Sequence, residues 1–209
     1  MRRFLKWFGL AVVVVAVAGF VWSQFTFVEE PKFTLIESSG GFELRDYGPI
    51  IVAETAVTGE RDAAINAGFR LIADYIFGNN SVAQSVAMTA PVTQQPNQTI
   101  AMTAPVTQAG SGSSWTVQFI MPAQYTMETL PKPNNPAVTL RAIPGERVAV
   151  IRFSGVADEK LLAEKTAELK TMMESRKLVA AGDLRYAFYN PPWVLGPLRR
   201  NEVVIPVVK

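Results

Sequence analysis

The chain has 209 residues, 49% of them hydrophobic and 18% charged, with a formal net charge of +2. It contains no Cys and no His. That removes disulfides, thiolate nucleophiles, Cys-based zinc sites, Ser-His-Asp catalysis and His-ligated haem iron, while the length suits one globular domain or two small ones.

The charge is unevenly placed. Arg2, Arg3 and Lys6 stand in a stretch, residues 1–24, that holds no acid. The rest is slightly acidic and lacks the basic footprint of a nucleic-acid binder. From Trp7 to Trp22 the chain carries no charge and is centred on Leu10 to Ala18. Burying such a run in hydrocarbon is favourable, with the positive flank on the cytoplasmic side. Two readings are open for residues 1–28. One is a signal peptide cut after Ala18, with small residues at Ala16 and Ala18. The other is an uncleaved anchor through residues 4–28, with Lys6 snorkelling and Trp7 and Trp22 at the interfaces. Either places residues 29–209 outside the cytoplasm, in a bacterium the periplasm; the anchored form is a single-pass inner-membrane protein.

Phe33–Glu37 and Phe42–Tyr47 alternate around Gly40-Gly41, a hairpin signal, and Ile50–Val57 follows as a third strand. Glu60 to Phe77 has helical spacing: Ile65, Phe69, Ile72 and Ile76 form one stripe, with Gly68, Leu71 and Tyr75 a weaker second. Gly78-Asn79-Asn80 ends it. Val86 to Gln94 then recurs as Ile100 to Gln108, each copy containing Ala-Met-Thr-Ala-Pro-Val. Each reads as a β segment closed by its Pro, which cannot donate to a ladder. Gly110–Ser114 is a turn, Trp115–Met121 a strand ending at Pro122, and Pro131–Pro136 a rigid surface connection.

A second half echoes the first. Val138–Ala142 and Arg147–Phe153 read as a strand pair ended by Gly155. Asp158 caps a helix to about Lys177, with Leu161, Leu162, Leu169, Met172 and Met173 as its buried stripe. Tyr186–Tyr189 leads to Asn190-Pro-Pro192, and Glu202–Val207 is the last strand. The pattern predicts an α+β fold. Two β-α-β-β halves would join into a curved antiparallel sheet or distorted barrel with two helices packed on it, preceded by the N-terminal transmembrane or signal helix.

No GxGxxG, Walker A, GxSxG or metal-spaced carboxylate cluster is present. Adjacent acids such as Asp158-Glu159 do not face one another, so a binding module is expected rather than an enzyme. Met88 and Met102 hold equivalent repeat positions, and a thioether can ligate haem iron; core packing is the competing role. Tyr47, Tyr75, Tyr186 and Tyr189 can ligate ferric haem or simply pack. Arg199-Arg200-Asn201-Glu202 reads as a charged turn before the last strand. Arg199 or Arg70 can pair a propionate, or form internal pairs.

Several segments together resemble the SOUL/haem-binding-protein family. They are Phe42–Tyr47, Phe69–Asn80, Val86–Val92, Val117–Pro122, Phe153–Gly155, Tyr189–Pro192 and Arg199–Val203, in the family's order over roughly residues 35–209. The resemblance implies non-covalent binding of haem or another tetrapyrrole in an apolar groove beside the first helix. On this chain the groove residues would be Phe69, Arg70, Ile72, Tyr75, Met88, Met102 and Arg199. The resemblance implies an axial His in some members, and this chain has none. Binding must then rest on shape and charge, or on Met or Tyr. Another apolar small molecule or a protein partner is the alternative ligand, since the same barrel resembles effector-binding domains of bacterial regulators.

Overall fold

The computed structural model of the chain describes residues 28–81 and 98–209. The expected N-terminal segment, up to residue 27, and the first copy of the repeat, with Met88, lie outside the described residues. Among the described residues no helix is long and apolar enough to cross a membrane.

Strands β1 (Phe33–Ser39) and β2 (Phe42–Tyr47) form the hairpin around Gly40-Gly41, followed by β3 (Ile50–Thr58) and helix α1 (Arg61–Ile76). A short ribbon pairs β4 (Asn80–Ser81) with β7 (Lys132–Pro133). Between them come β5 (Val106–Ser111) and β6 (Ser114–Ile120). The remainder is β8 (Thr139–Ile143), β9 (Arg147–Ser154), α2 (Glu159–Ser175), β10 (Arg185–Phe188) and β11 (Arg200–Val207). Asp158 caps α2 as its sequence position requires: the carboxylate accepts the Leu161 N–H at 2.8 Å.

Nine strands make one curled, open sheet in the order β1-β2-β9-β11-β10-β5-β6-β3-β8. Its pairings are all antiparallel. The same pairing order occurs twice. In β3-α1-β5-β6 the strand before the helix pairs with the last strand, and the last with the middle one. In β9-α2-β10-β11 the same holds. The β5–β10 pair joins the halves. The strand preceding each unit crosses to the other half: β2 pairs with β9, and β8 with β3. The expected pairing of Val138–Ala142 with Arg147–Phe153 is therefore absent, because β8 and β9 each complete a different half of the sheet.

Each helix covers its own core. Under α1, Ile72, Tyr75 and Ile76 meet Ala53, Val117, Phe119 and Leu130. Under α2, Leu162, Leu169 and Met173 meet Phe42, Leu44, Ile151, Val203 and Ile205. The α1 face is rotated from the predicted stripe. Ala64, Gly68, Ile72, Tyr75 and Ile76 are buried, whereas Phe69 is 38% exposed. The cause is Gly68, where an added Cβ would lie 2.6 Å from Val117 Cγ2. Small residues let the helix settle on β6 by that face. Phe69 moves to the flank, its ring tilted against Phe119 at 5.3 Å.

Gly68→Ala is accordingly expected to destabilise the fold by about 1–3 kcal/mol through overpacking. That exceeds the helix-propensity gain of up to about 1 kcal/mol. Urea denaturation checks it, and adding Val117→Ala should give a double variant less damaged than the two single effects summed.

Two further expectations change. The second repeat copy is not a strand closed by Pro: β5 starts at Val106, after Pro105. Residues 100–105 instead lie against neighbouring segments, with Ile100 N–H bonded to Ile76 O at 2.9 Å and Ala104 N–H to Glu29 O at 2.9 Å. The charged turn at 199–202 is also mostly strand, because β11 begins at Arg200 and pairs with β9 from there.

Candidate functional site

A cleft of about 770 Å³ opens between the segment Glu29 to Lys32, the β2–β3 turn, the end of β6 and the chain after it. Pockets for small organic ligands run from about 300 to 1,000 Å³. The walls are largely apolar: Ile50 and Ile51 from β3, Ile120 and Met121 at the end of β6, then Pro122 and Met127. Local bonding explains this arrangement. Thr103 Oγ1 donates to Ile120 O, and Ala123 N–H donates to Glu29 Oε1 at 2.9 Å. The Thr126–Thr129 turn closes with Leu130 N–H on Thr126 O at 3.0 Å. Tyr125, also on the wall, has its hydroxyl bonded by Gln98 Nε2 at 3.0 Å.

The lining charges are mostly negative: Glu29, Glu30 and Glu128 against Lys32. The Thr126 hydrogen bond holds Glu128 below the usual carboxylate value. Glu30 leads from the rim into a buried ionic network. Its carboxylate takes Arg200 Nη1 at 2.9 Å. Arg200 Nη2 donates to Glu202 Oε1 at 2.8 Å. Glu202 is 1% exposed and also receives Arg45 Nη1 and Nη2, each at 2.9 Å, and the Tyr189 hydroxyl at 2.8 Å. Arg45 Nε donates in turn to Glu43 at 2.7 Å.

The electrostatics follow from that bonding. Burial would raise the Glu202 pKa, but the Arg45 bonds and charge, with Arg200 and Tyr189, hold it below the usual value. Burial and the nearby Glu202 charge push Tyr189 up. Burial likewise raises Tyr47, although Arg45 opposes this. Both phenols stay protonated near neutral pH.

The predicted groove residues do not converge on one open surface. Ile72 and Tyr75 lie in the core beneath α1. The Tyr75 hydroxyl donates to Pro131 O at 2.8 Å, and burial raises its pKa, so no phenolate is offered there. Phe69 and Arg70 are exposed on the outer flank of α1. Met102 is 38% exposed and precedes Thr103, which lines the cleft. Arg199 donates from Nε to Val194 O at 2.7 Å and from Nη2 to Pro192 O, so its guanidinium braces a loop. Sequence reasoning missed Met121, Tyr125 and Met127 in the cleft. It also missed the joining of Arg45, Tyr189 and Glu202. The available signal was charge set among apolar residues in both strands: Glu43, Arg45 and Asp46 in Phe42–Tyr47, and Glu202 at the head of Glu202–Val207.

The model of the SOUL heme-binding protein family matches residues 28–206. Heme-binding protein 2 of Homo sapiens is 28% identical over 187 residues, covering 85% of this chain and 84% of the human one. Heme-binding protein 2 of Mus musculus is 28% identical over 166 residues, covering 78% and 77%. Among solved structures, the EcmrR C-terminal domain superposes with a TM-score of 0.57 at 12% identity, covering 80% of this chain and 97% of that one. A hydrolase from Listeria innocua gives 0.53 at 14%, covering 83% and 94%. At these identities the two structures share the fold alone.

Proposed function

This chain belongs to the SOUL heme-binding protein family, and from that premise we propose that it binds haem or a related tetrapyrrole non-covalently, without a His ligand, as a binding module and not an enzyme. The observation that carries the reading is the family match across residues 28–206. The cleft supports it by size and by its Ile, Met and Pro walls, which suit the faces of a macrocycle. Met121, Tyr125 and Met127 are lining side chains with a sulfur or phenol oxygen able to meet iron, and Met102 precedes Thr103, another lining residue. When bound, the group supplies its own iron chemistry. The residues of this chain hold its faces and exclude water from them. Glu29, Glu30 and Glu128 would repel carboxylates, and Lys32 would be the lining cation able to pair one. The non-enzymatic reading is supported by Glu202, whose carboxylate is saturated by Arg45, Arg200 and Tyr189.

Burying several hundred Å² of porphyrin at about 25 cal/mol per Å² gives several kcal/mol gross, much of it offset by association entropy. Micromolar affinity, about −8 kcal/mol, is expected. The full chain in mild detergent, titrated with hemin, should show a saturable Soret shift and Trp quenching. No shift and no quenching at tens of micromolar would overturn the reading. Ala142→Trp, which fills the cleft wall, should weaken binding about tenfold, equivalent to about 1.4 kcal/mol. Tyr75→Phe should leave the spectrum of the complex unchanged.

The acidic lining favours a second reading, an amphipathic ligand without propionates. Native mass spectrometry of protein from its own host separates the two: bound haem supports the first, a non-porphyrin mass the second. The run from Trp7 to Trp22, behind Arg2, Arg3 and Lys6, supports a module held at or exported across the inner membrane, with residues 29–209 in the periplasm. Intact mass decides between an anchor and cleavage after Ala18.

A further inference from the structure

The loop between β10 and β11 holds apolar side chains out into solvent. Trp193 is 65% exposed, Leu195 and Leu198 each 51%, and Val156, in the turn between β9 and α2, 58%. Val156 and the loop meet: a Cβ on Gly196 would lie 3.2 Å from Val156 Cγ2. The loop is braced from within. Arg199 Nε donates to Val194 O at 2.7 Å, and its Nη2 donates to Pro192 O. Gly155 N–H donates to Gly196 O at 3.1 Å, and Leu198 N–H to Leu195 O at 2.8 Å. Val194 is 1% exposed and anchors the loop inward. Hydrogen bonds thus brace a backbone that leaves one Trp and two Leu more than half exposed. A contiguous exposed apolar surface marks an interaction site, and Trp favours the boundary between lipid and water.

Where the N-terminal chain enters the domain identifies the occupant. Glu30 pairs with Arg200 Nη1 at 2.9 Å. Arg200 follows Arg199, the residue that braces the loop, and its N–H donates to Asn190 Oδ1 at 2.6 Å across the loop's root. The charge-free run from Trp7 to Trp22 lies a few residues upstream of Glu30. A chain leaving a bilayer there arrives at the base of this loop. We propose that the 192–198 loop, with Val156, is a second membrane contact, its Trp193, Leu195 and Leu198 side chains entering the interfacial layer of the phospholipid bilayer that holds residues 4–28. This rests on the reading of residues 4–28 as membrane-inserting and is independent of the tetrapyrrole.

The absence of Cys makes single-site labelling specific. The full chain would carry a nitroxide at Leu195→Cys or, separately, at Val179→Cys, in vesicles of zwitterionic and anionic phospholipid. Val179 is 64% exposed, and its carbonyl accepts the Val208 N–H at 2.9 Å, past the far end of β11. At 195 the label should relax faster with oxygen than with a water-soluble nickel chelate; at 179 the preference should reverse. Chelate-dominated relaxation at both sites in protein that co-floats with vesicles overturns the loop contact alone. Failure to co-float overturns the membrane-inserting reading itself. Dipolar broadening at 195 would assign the surface to a second copy of the chain and overturn the proposal. Immobilisation by hemin without lipid would assign it to the tetrapyrrole, with the same consequence.

Discussion

Replacing Glu202 by alanine is expected to destabilise the fold by about 3–5 kcal/mol, the usual cost of breaking a buried ion pair from one side. Arg45, at 1% exposure, would lose two of its hydrogen bonds and keep Glu43 and Tyr47. Tyr189 would lose its acceptor inside the protein. Urea denaturation measures the loss. Replacing both partners, Arg45→Met with Glu202→Leu, should cost less than the two single changes summed, since neither member of the pair is then left buried without the other. The same carboxylate sets a pH dependence. Its folded pKa lies below the ordinary 4.5. Its contribution is therefore fully present above that ordinary value and is lost as pH falls through the lower folded value. Acid titration of stability should show this component in the parent and its absence in Glu202→Ala. If the two acid profiles run parallel, Glu202 does not carry the charge assigned to it.

Phe119→Ala is expected to cost about 3–5 kcal/mol. The ring is fully buried, belongs to the core beneath α1, and is the surface on which Phe69 rests. Phe69→Ala should cost less, because Phe69 is 38% exposed and already partly hydrated. Thermal melts of the two variants check the order. The reverse order would mean that Ile65, Phe69, Ile72 and Ile76 form the true buried stripe.

That contrast shows what the residue pattern could and could not reveal. Spacing identified α1 and α2, the Asp158 cap, and the hairpin at Gly40-Gly41, because each depends on neighbours within a few residues. It placed the α1 face slightly wrong because apolar periodicity weighs Phe69 above Gly68. Packing weighs them the other way when a β-branched Val117 faces the helix. It made Tyr75 a ligand candidate because a phenol's chemistry is visible in sequence, whereas its burial against Pro131 O is not. The Arg45–Glu202 pair bridges a separation of 157 residues and depends on β9 lying between β2 and β11. The cleft draws on residues 29–32, a turn, Thr103, three strands and the chain after β6. No local pattern encodes a surface assembled from so many pieces. The two-fold repetition was legible in outline, but the exchange of β2 and β8 between halves was not, since nothing in either strand names its partner.

That exchange governs how the molecule can form. β2 meets β9, and β3 meets β8, across intervals of about 100 residues, the kind of distant pairing that slows folding. Neither half possesses its full complement of hydrogen-bonded neighbours until both have been synthesised. A nascent chain that has released only β1 to β6 presents β3 with one flank unpaired, and β2 with β1 as its sole companion. Such flanks invite pairing with a foreign strand. Truncation after the first half should therefore yield an aggregating fragment instead of a smaller working domain.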